Sequence, residues 1–146
     1  MNLIKLHKIG AALYRSKIPI LPTLIRYLIF LIYNSDVPCS VVIGKGTVFG
    51  HTGIGVVIHP RVVIGEDCII GQGITIGGRS RAYEVPVIGD KVYIGAGARV
   101  LGPITVENNV IIGPNAVVIK DVKANTIVGG IPAKVLKENI DFEDYV

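Results

Sequence analysis

Residues 49–60 read FGHTGIGVVIHP and hold two of the three histidines of the chain, His51 and His59, among glycines and apolar residues. A neutral imidazole can take a proton near neutral pH, and it can also bind a metal ion. A metal centre needs at least a third ligand, and the other histidine, His7, lies in a separate N-terminal segment. No metal is therefore expected. The two cysteines, Cys39 and Cys68, form no CxxC pair and have no ligand spacing. Acid–base work and architecture remain, and the surrounding elements decide between them.

Those elements are built from small aliphatics. The chain has 146 residues, enough for one domain with a core of its own, and half of them are apolar. Only 6% are aromatic, Trp is absent and there are 18 glycines, so the core must come from Val, Ile and Leu on short strands with tight corners. Charge is uneven. Residues 1–35 carry Lys5, Lys8, Arg15, Lys17 and Arg26 with no acid, which leaves ten basic and eleven acidic groups in the other 111 residues. Nothing after residue 35 forms a basic stripe with readers, so nucleic acid is excluded as a partner. No secretory signal is read and the cysteines suit a reducing compartment, so a cytoplasmic setting is expected.

Within the N-terminal segment, IPILPTLIRYLIFLIY (18–33) is apolar but too short to span a bilayer, and Pro19, Pro22 and Arg26 interrupt it. It reads as one or two short helices packed on the domain or on a neighbouring subunit. The sharper alternative is association with a membrane surface, peripheral at the inner face, because apolar bulk with five cations suits anionic lipid.

From residue 57 the sequence repeats every six residues. An aliphatic recurs at Ile58, Ile64, Ile70 and Ile76, then at Ile88, Ile94, Val100, Val106, Ile112 and Val118. Glycine follows at Gly65, Gly71, Gly77, Gly89, Gly95 and Gly113, and four places after the aliphatic stands a small or apolar residue such as Cys68, Ala98 or Ala116. Neither the helical period of 3.6 nor the strand period of 2 fits. Six fits a solenoid in which each hexad gives a short strand and a corner, the aliphatic inside and glycine at the turn. Cys68 is thereby read as packing.

The register is interrupted twice, and only the first interruption shifts its phase. Ile43 to Ile58 is fifteen residues, two hexads plus three, and the pattern fails in GHTGIG (50–55). Ile76 to Ile88 is twelve residues, and RSRAYEVP (79–86) has no inward aliphatic at Ala82, so a loop over 78–86 is expected to leave one corner. Irregular segments on a regular solenoid are where function is commonly placed. His51 lies in the surplus of the first break. His59 follows an inward aliphatic, where glycine is usual, and precedes Pro60. It could orient His51, bind substrate or make a backbone hydrogen bond, and the structural role is favoured.

The hexads, with VVIHPRVVIGEDCIIGQGITIGG (56–78), VYIGAGARVLG (92–102) and IVGGIPAKVL (127–136), resemble the serine acetyltransferase-like branch of hexapeptide acyltransferases over roughly residues 38–137. The resemblance implies an all-β solenoid, a left-handed parallel β-helix over 36–130, with a short N-terminal helical segment over 1–35 and a tail over 131–146. It further implies acetyl-CoA as donor and a homotrimer with sites between neighbouring subunits. His51 matches the family's catalytic base. Gly77 and Gly78, which open the loop, are candidate donors to the oxyanion or the cofactor. For the cofactor, Ala96, Gly97, Asn115 and Ala116 fit the pantetheine groove, and Lys120, Lys134 and Lys137 fit the nucleotide phosphates. His59, Arg81 and Glu84 are candidate substrate contacts.

The resemblance also has gaps. Serine acetyltransferases carry aspartate before the catalytic histidine, where this chain has Gly50. They carry an Arg-His pair before a proline, where Glu84 and Val85 precede Pro86, and a long N-terminal helical domain where this chain has some 35 residues. The groups that grip an amino acid are thus largely missing. The expectation is an acetyl-CoA-dependent O-acetyltransferase acting on a sugar hydroxyl of a polysaccharide or lipid-linked glycan, with serine as the alternative acceptor. A non-catalytic trimeric or glycan-binding scaffold is the reading from another class.

Overall fold

The structure, a computed structural model, describes residues 2–146. Two helices come first, α1 (Leu3–Arg15) and α2 (Leu21–Tyr33). Asn2 starts α1 by accepting a hydrogen bond from the Ile4 N–H (2.8 Å), and Pro22 stands in the first turn of α2, where its missing N–H costs nothing.

Four coils of short strands follow. The first is β1 (Val42–Ile43), β2 (Val48–Phe49) and β3 (Val57–Ile58), and the second is β4 (Val63–Ile64), β5 (Ile69–Ile70) and β6 (Thr75–Gly77). The third is β7 (Val87–Ile88), β8 (Tyr93–Ile94) and β9 (Arg99–Leu101), and the fourth is β10 (Thr105–Val106), β11 (Ile111–Ile112) and β12 (Val117–Val118). β13 (Thr126–Gly129) opens a partial turn, and β14 (Lys134–Glu138), in the 131–146 tail, folds back antiparallel on it. Strands of successive coils stack in parallel into three sheets: β1-β4-β7-β10 (sheet 1), β2-β5-β8-β11-β13-β14 (sheet 2) and β3-β6-β9-β12 (sheet 3).

The hexad aliphatics become three interior ladders. Ile64, Ile88 and Val106 stack on sheet 1, Phe49, Ile70, Ile94, Ile112 and Val128 on sheet 2, and Ile58, Ile76, Val100 and Val118 on sheet 3. All of these are buried in one continuous core. Burying each such side chain contributes roughly 1.5–3 kcal/mol, which is how strands of two residues persist. The corners must be thin. A Cβ on Gly65 would lie 2.4 Å from the Gly89 carbonyl oxygen of the next coil.

α1 closes the N-terminal end of the coil. Leu3, Ile4 and Leu6 join the same core as Val41, Phe49 and Val56. At the other end Ile140 and Phe142 cover Ile111 on the outer side of sheet 2, so the tail is fastened to the coil.

Candidate active site

The first break lies between sheets 2 and 3. Phe49 is in register with Ile70 and Ile58 with Ile76, so the surplus residues are confined to 50–56. Gly50–Gly53 form a kinked 3-10 segment in which His51 (φ 45°) and Thr52 (φ 62°) take left-handed backbone. That conformation disfavours both side chains and persists only where its surroundings fix it. Buried Ser35 supplies the fixing: its hydroxyl donates to the Gly53 carbonyl (2.6 Å) and accepts from the Val56 N–H (3.0 Å). Gly55 N–H donates to the Tyr33 carbonyl (3.2 Å), and Leu3 of α1 packs where a Cβ on Gly53 would stand. These bonds hold the turn in place, and the His51 side chain is exposed.

Below His51, the 2–3 edge carries the smallest residues of each coil. Gly73 donates its N–H to the Ile54 carbonyl, Gly97 to Gln72, and Asn115 to Ala96, each at 2.8–2.9 Å. Gly73 and Gly97 have φ of +64° and +72°, and a Cβ on Gly73 would meet nothing within 4 Å. The Arg99 guanidinium clamps this edge by donating to the carbonyls of Gly73 (2.7 Å) and Gly97 (2.8 Å). Ala96, Gly97 and Asn115 therefore share one edge with His51. Ala116 does not reach it. Its side chain is fully buried in the core, its N–H donates to Gly113, and its carbonyl accepts from Arg99. It is an interior packing residue, and its assignment to the cofactor is corrected accordingly.

The 3–1 edge holds the other candidates. Gly77 and Gly78 leave β6 there, and residues 78–86, where the sequence lacks an inward aliphatic at Ala82, run as an irregular loop before β7. Arg81 and Glu84 are exposed on it, while Val85 turns into the core. Arg61 holds the loop from the coil above, donating to the Tyr83 carbonyl and lying 4.2 Å over the Tyr83 ring. His59 stands on this edge too. Its Nδ1 accepts the Arg61 N–H (3.2 Å), the structural hydrogen bond favoured from its place in the hexad. Within one chain, His51 and the loop residues thus occupy different edges with sheet 3 between them.

The three lysines divide. Lys120 and Lys134 line a cleft of about 440 Å³ where β14 leaves the last coil, and the Gly130–Ala133 turn beside it bonds to Val117 of β12. Lys137 faces elsewhere, donating to the Tyr145 hydroxyl, a contact that raises its pKa. Cys39 and Cys68 are both buried, and burial raises the pKa of their thiols, the opposite of what activates a cysteine. Sequence reasoning missed Ser35, Arg61, Gln72–Gly73 and Arg99. Only Gly73 left a signal, the G-x-G of 71–73 that recurs at 95–97.

Three stacked parallel sheets, a hexad ladder and two edge breaks define a hexapeptide-repeat protein. Residues 86–120 match the family model described as bacterial transferase hexapeptide (six repeats). The chain is 36% identical over 132 residues to a serine acetyltransferase of Synechococcus elongatus, covering 89% of this chain and 54% of that protein. A solved Neisseria gonorrhoeae serine acetyltransferase in complex with serine superposes with a TM-score of 0.86 at 31% identity, covering 92% of this chain and 55% of that one. A serine acetyltransferase in complex with CoA superposes at 0.83 and 30%, with 92% and 55% covered. This chain thus spans about half the length of the relatives it matches. Its fold is the left-handed parallel β-helix of the hexapeptide-repeat transferases in its serine acetyltransferase-like form. The expectation of a sugar acceptor is overturned by the likeness to these serine acetyltransferases, in sequence and in structure.

Proposed function

We propose that the chain transfers the acetyl group of acetyl-CoA to the side-chain hydroxyl of L-serine, with His51 as general base. The carrying observation is the fixed left-handed turn that lifts His51 to the head of an edge lined by Gly73, Ala96–Gly97 and Asn115. The similarity to enzymes solved with serine and with CoA supports the two substrates and favours catalysis over a scaffold.

In this reading His51 takes the hydroxyl proton as the oxygen attacks the thioester carbonyl, where neutral serine is otherwise a poor nucleophile. The tetrahedral oxyanion needs backbone donors that approach without a side chain, a role that suits Gly77 and Gly78. Collapse breaks the C–S bond, and the His51 imidazolium returns its proton to the leaving sulfur. O-acetylserine and CoA thiol result. The working unit is a homotrimer. His51 stands on the 2–3 edge and the loop on the 3–1 edge, so a neighbouring copy is needed to place both against one substrate. Lys120 and Lys134 are suited to the CoA phosphates.

The test is thiol release from acetyl-CoA by the purified chain. Serine-dependent release supports the proposal. Release that ignores serine across a range of concentrations, in a chain that still binds CoA, would exclude serine as the acceptor.

A further inference from the structure

The helical hairpin presents an apolar surface that neither the coil nor the proposed reaction uses. Only Pro22, Ile25, Ile29 and Tyr33 of α2 turn inward. On the outside Leu24, Tyr27, Phe30 and Leu31 are 54%, 62%, 52% and 79% exposed, and Ile20 in the preceding turn is 70% exposed. A contiguous apolar surface of this kind marks an interaction site.

The charges on the same hairpin have one sign. Lys5, Lys8, Arg15 and Lys17 are exposed, and the ion pairs among the described residues leave all four unpaired; Arg26 is held by Asp36 at 2.7 Å. Arg15 and Lys17 directly precede the apolar run Ile18–Leu21. Lys8 and Arg15 also line, with Lys45 of the first coil, a recess of about 360 Å³ that has no acidic wall. Two copies joined through the hairpin would bring these cations together, whereas a sheet of lipid phosphates would neutralise them. The geometry also fixes how deep such a contact goes. Each helix has 13 residues, about 20 Å of rise, against a hydrocarbon core of about 30 Å. No helix among the described residues is long and apolar enough to cross a membrane.

We propose that the α1–α2 hairpin docks the protein on an anionic lipid surface. The outer face of α2 enters the acyl boundary, and Lys8, Arg15, Lys17 and Lys45 meet lipid phosphates. The hairpin lies in the interface plane, as amphipathic helices of this kind do.

Sedimentation of the full chain with vesicles tests this. Binding is expected to vesicles of equal phosphatidylcholine and phosphatidylglycerol, not to phosphatidylcholine alone, and to weaken as salt rises. Each of Lys8→Glu, Arg15→Glu and Lys17→Glu should weaken binding by about fivefold or more. The double variant Leu24→Asp/Leu31→Asp should abolish binding with an unchanged circular dichroism spectrum, since neither side chain is in the core. Inorganic phosphate at constant ionic strength should not displace the protein. Equal binding to neutral vesicles, no binding, displacement by phosphate, or an assembly in solution that Leu31→Asp splits into smaller ones would each overturn the proposal. The last of these would assign the face to a second copy.

Discussion

The coil is interrupted twice, and the two interruptions are built in opposite ways. Three surplus residues on the 2–3 edge are wound into a turn fixed by Ser35, Tyr33 and Leu3, and one imidazole projects from it. A whole surplus hexad on the 3–1 edge is tied down at Val85 and at the Arg61–Tyr83 stack, leaving Arg81 and Glu84 exposed. A short strained turn suits a group whose position must be exact to fractions of an ångström, and a longer loop suits recognition. Both belong to one site only if a second copy brings the edges together.

The comparison can be broken at either end. His51→Ala should lower serine-dependent thiol release by about 10²–10⁴ with CoA affinity unchanged, measured by steady-state kinetics and calorimetry. Ser35→Ala leaves the Gly53 carbonyl and Val56 N–H without their shared partner. It should cost about 1–3 kcal/mol in denaturant midpoints and lower kcat more than it raises KM, because the His51 turn loosens. Gly50→Asp sharpens the comparison from the other side. A Cβ there would lie 3.6 Å from the Ile70 carbonyl oxygen, an ordinary contact, so the aspartate of serine acetyltransferases can be accommodated. It should raise kcat/KM for serine by roughly tenfold. Arg61→Ala frees Tyr83 and should raise the acceptor KM by only about two- to fivefold.

The smallest effect is on pH dependence. His7 is buried on α1, with Nε2 bonded to the Pro38 carbonyl and Nδ1 without a partner. Burial lowers its pKa from the ordinary 6.5, outweighing the opposing hydrogen bond to Pro38, and Arg15 adds to the lowering. As pH falls the unfolded chain takes up this proton first. Stability should therefore be full above about pH 6.5 and decline below it, and His7→Phe should flatten that decline in thermal melts.

Most of the fold was legible because an inward side chain every sixth residue leaves a countable mark; the first break appears as a failure of that count, and the second, which keeps phase, as a missing inward aliphatic at Ala82. The same count places Ala116 at the interior position shared with Ala98 and Val110, against its assignment to the cofactor. Ser35 was not legible. It lies 18 residues before Gly53 in a segment without a period, and only folding joins them. The acceptor was misread because three local departures, at Gly50, Glu84 and Val85, were set against similarity spread over nine-tenths of the chain. A glycine whose Cβ position is open and a valine that anchors a loop change how an acceptor is held, without naming a different one.

One measurement tests the shared site most directly. Deleting residues 79–84 brings Ile88 six residues after Ile76 and so restores the hexad period across the second break. The deleted chain should keep the coil and, like His51→Ala, lose acetyl transfer. Co-expressed in equal amounts and assembled together, the two inactive chains should recover about a quarter of wild-type activity, since half the His51 edges and half the loop edges are intact. Mixed assemblies no more active than either chain alone would contradict a site built between copies.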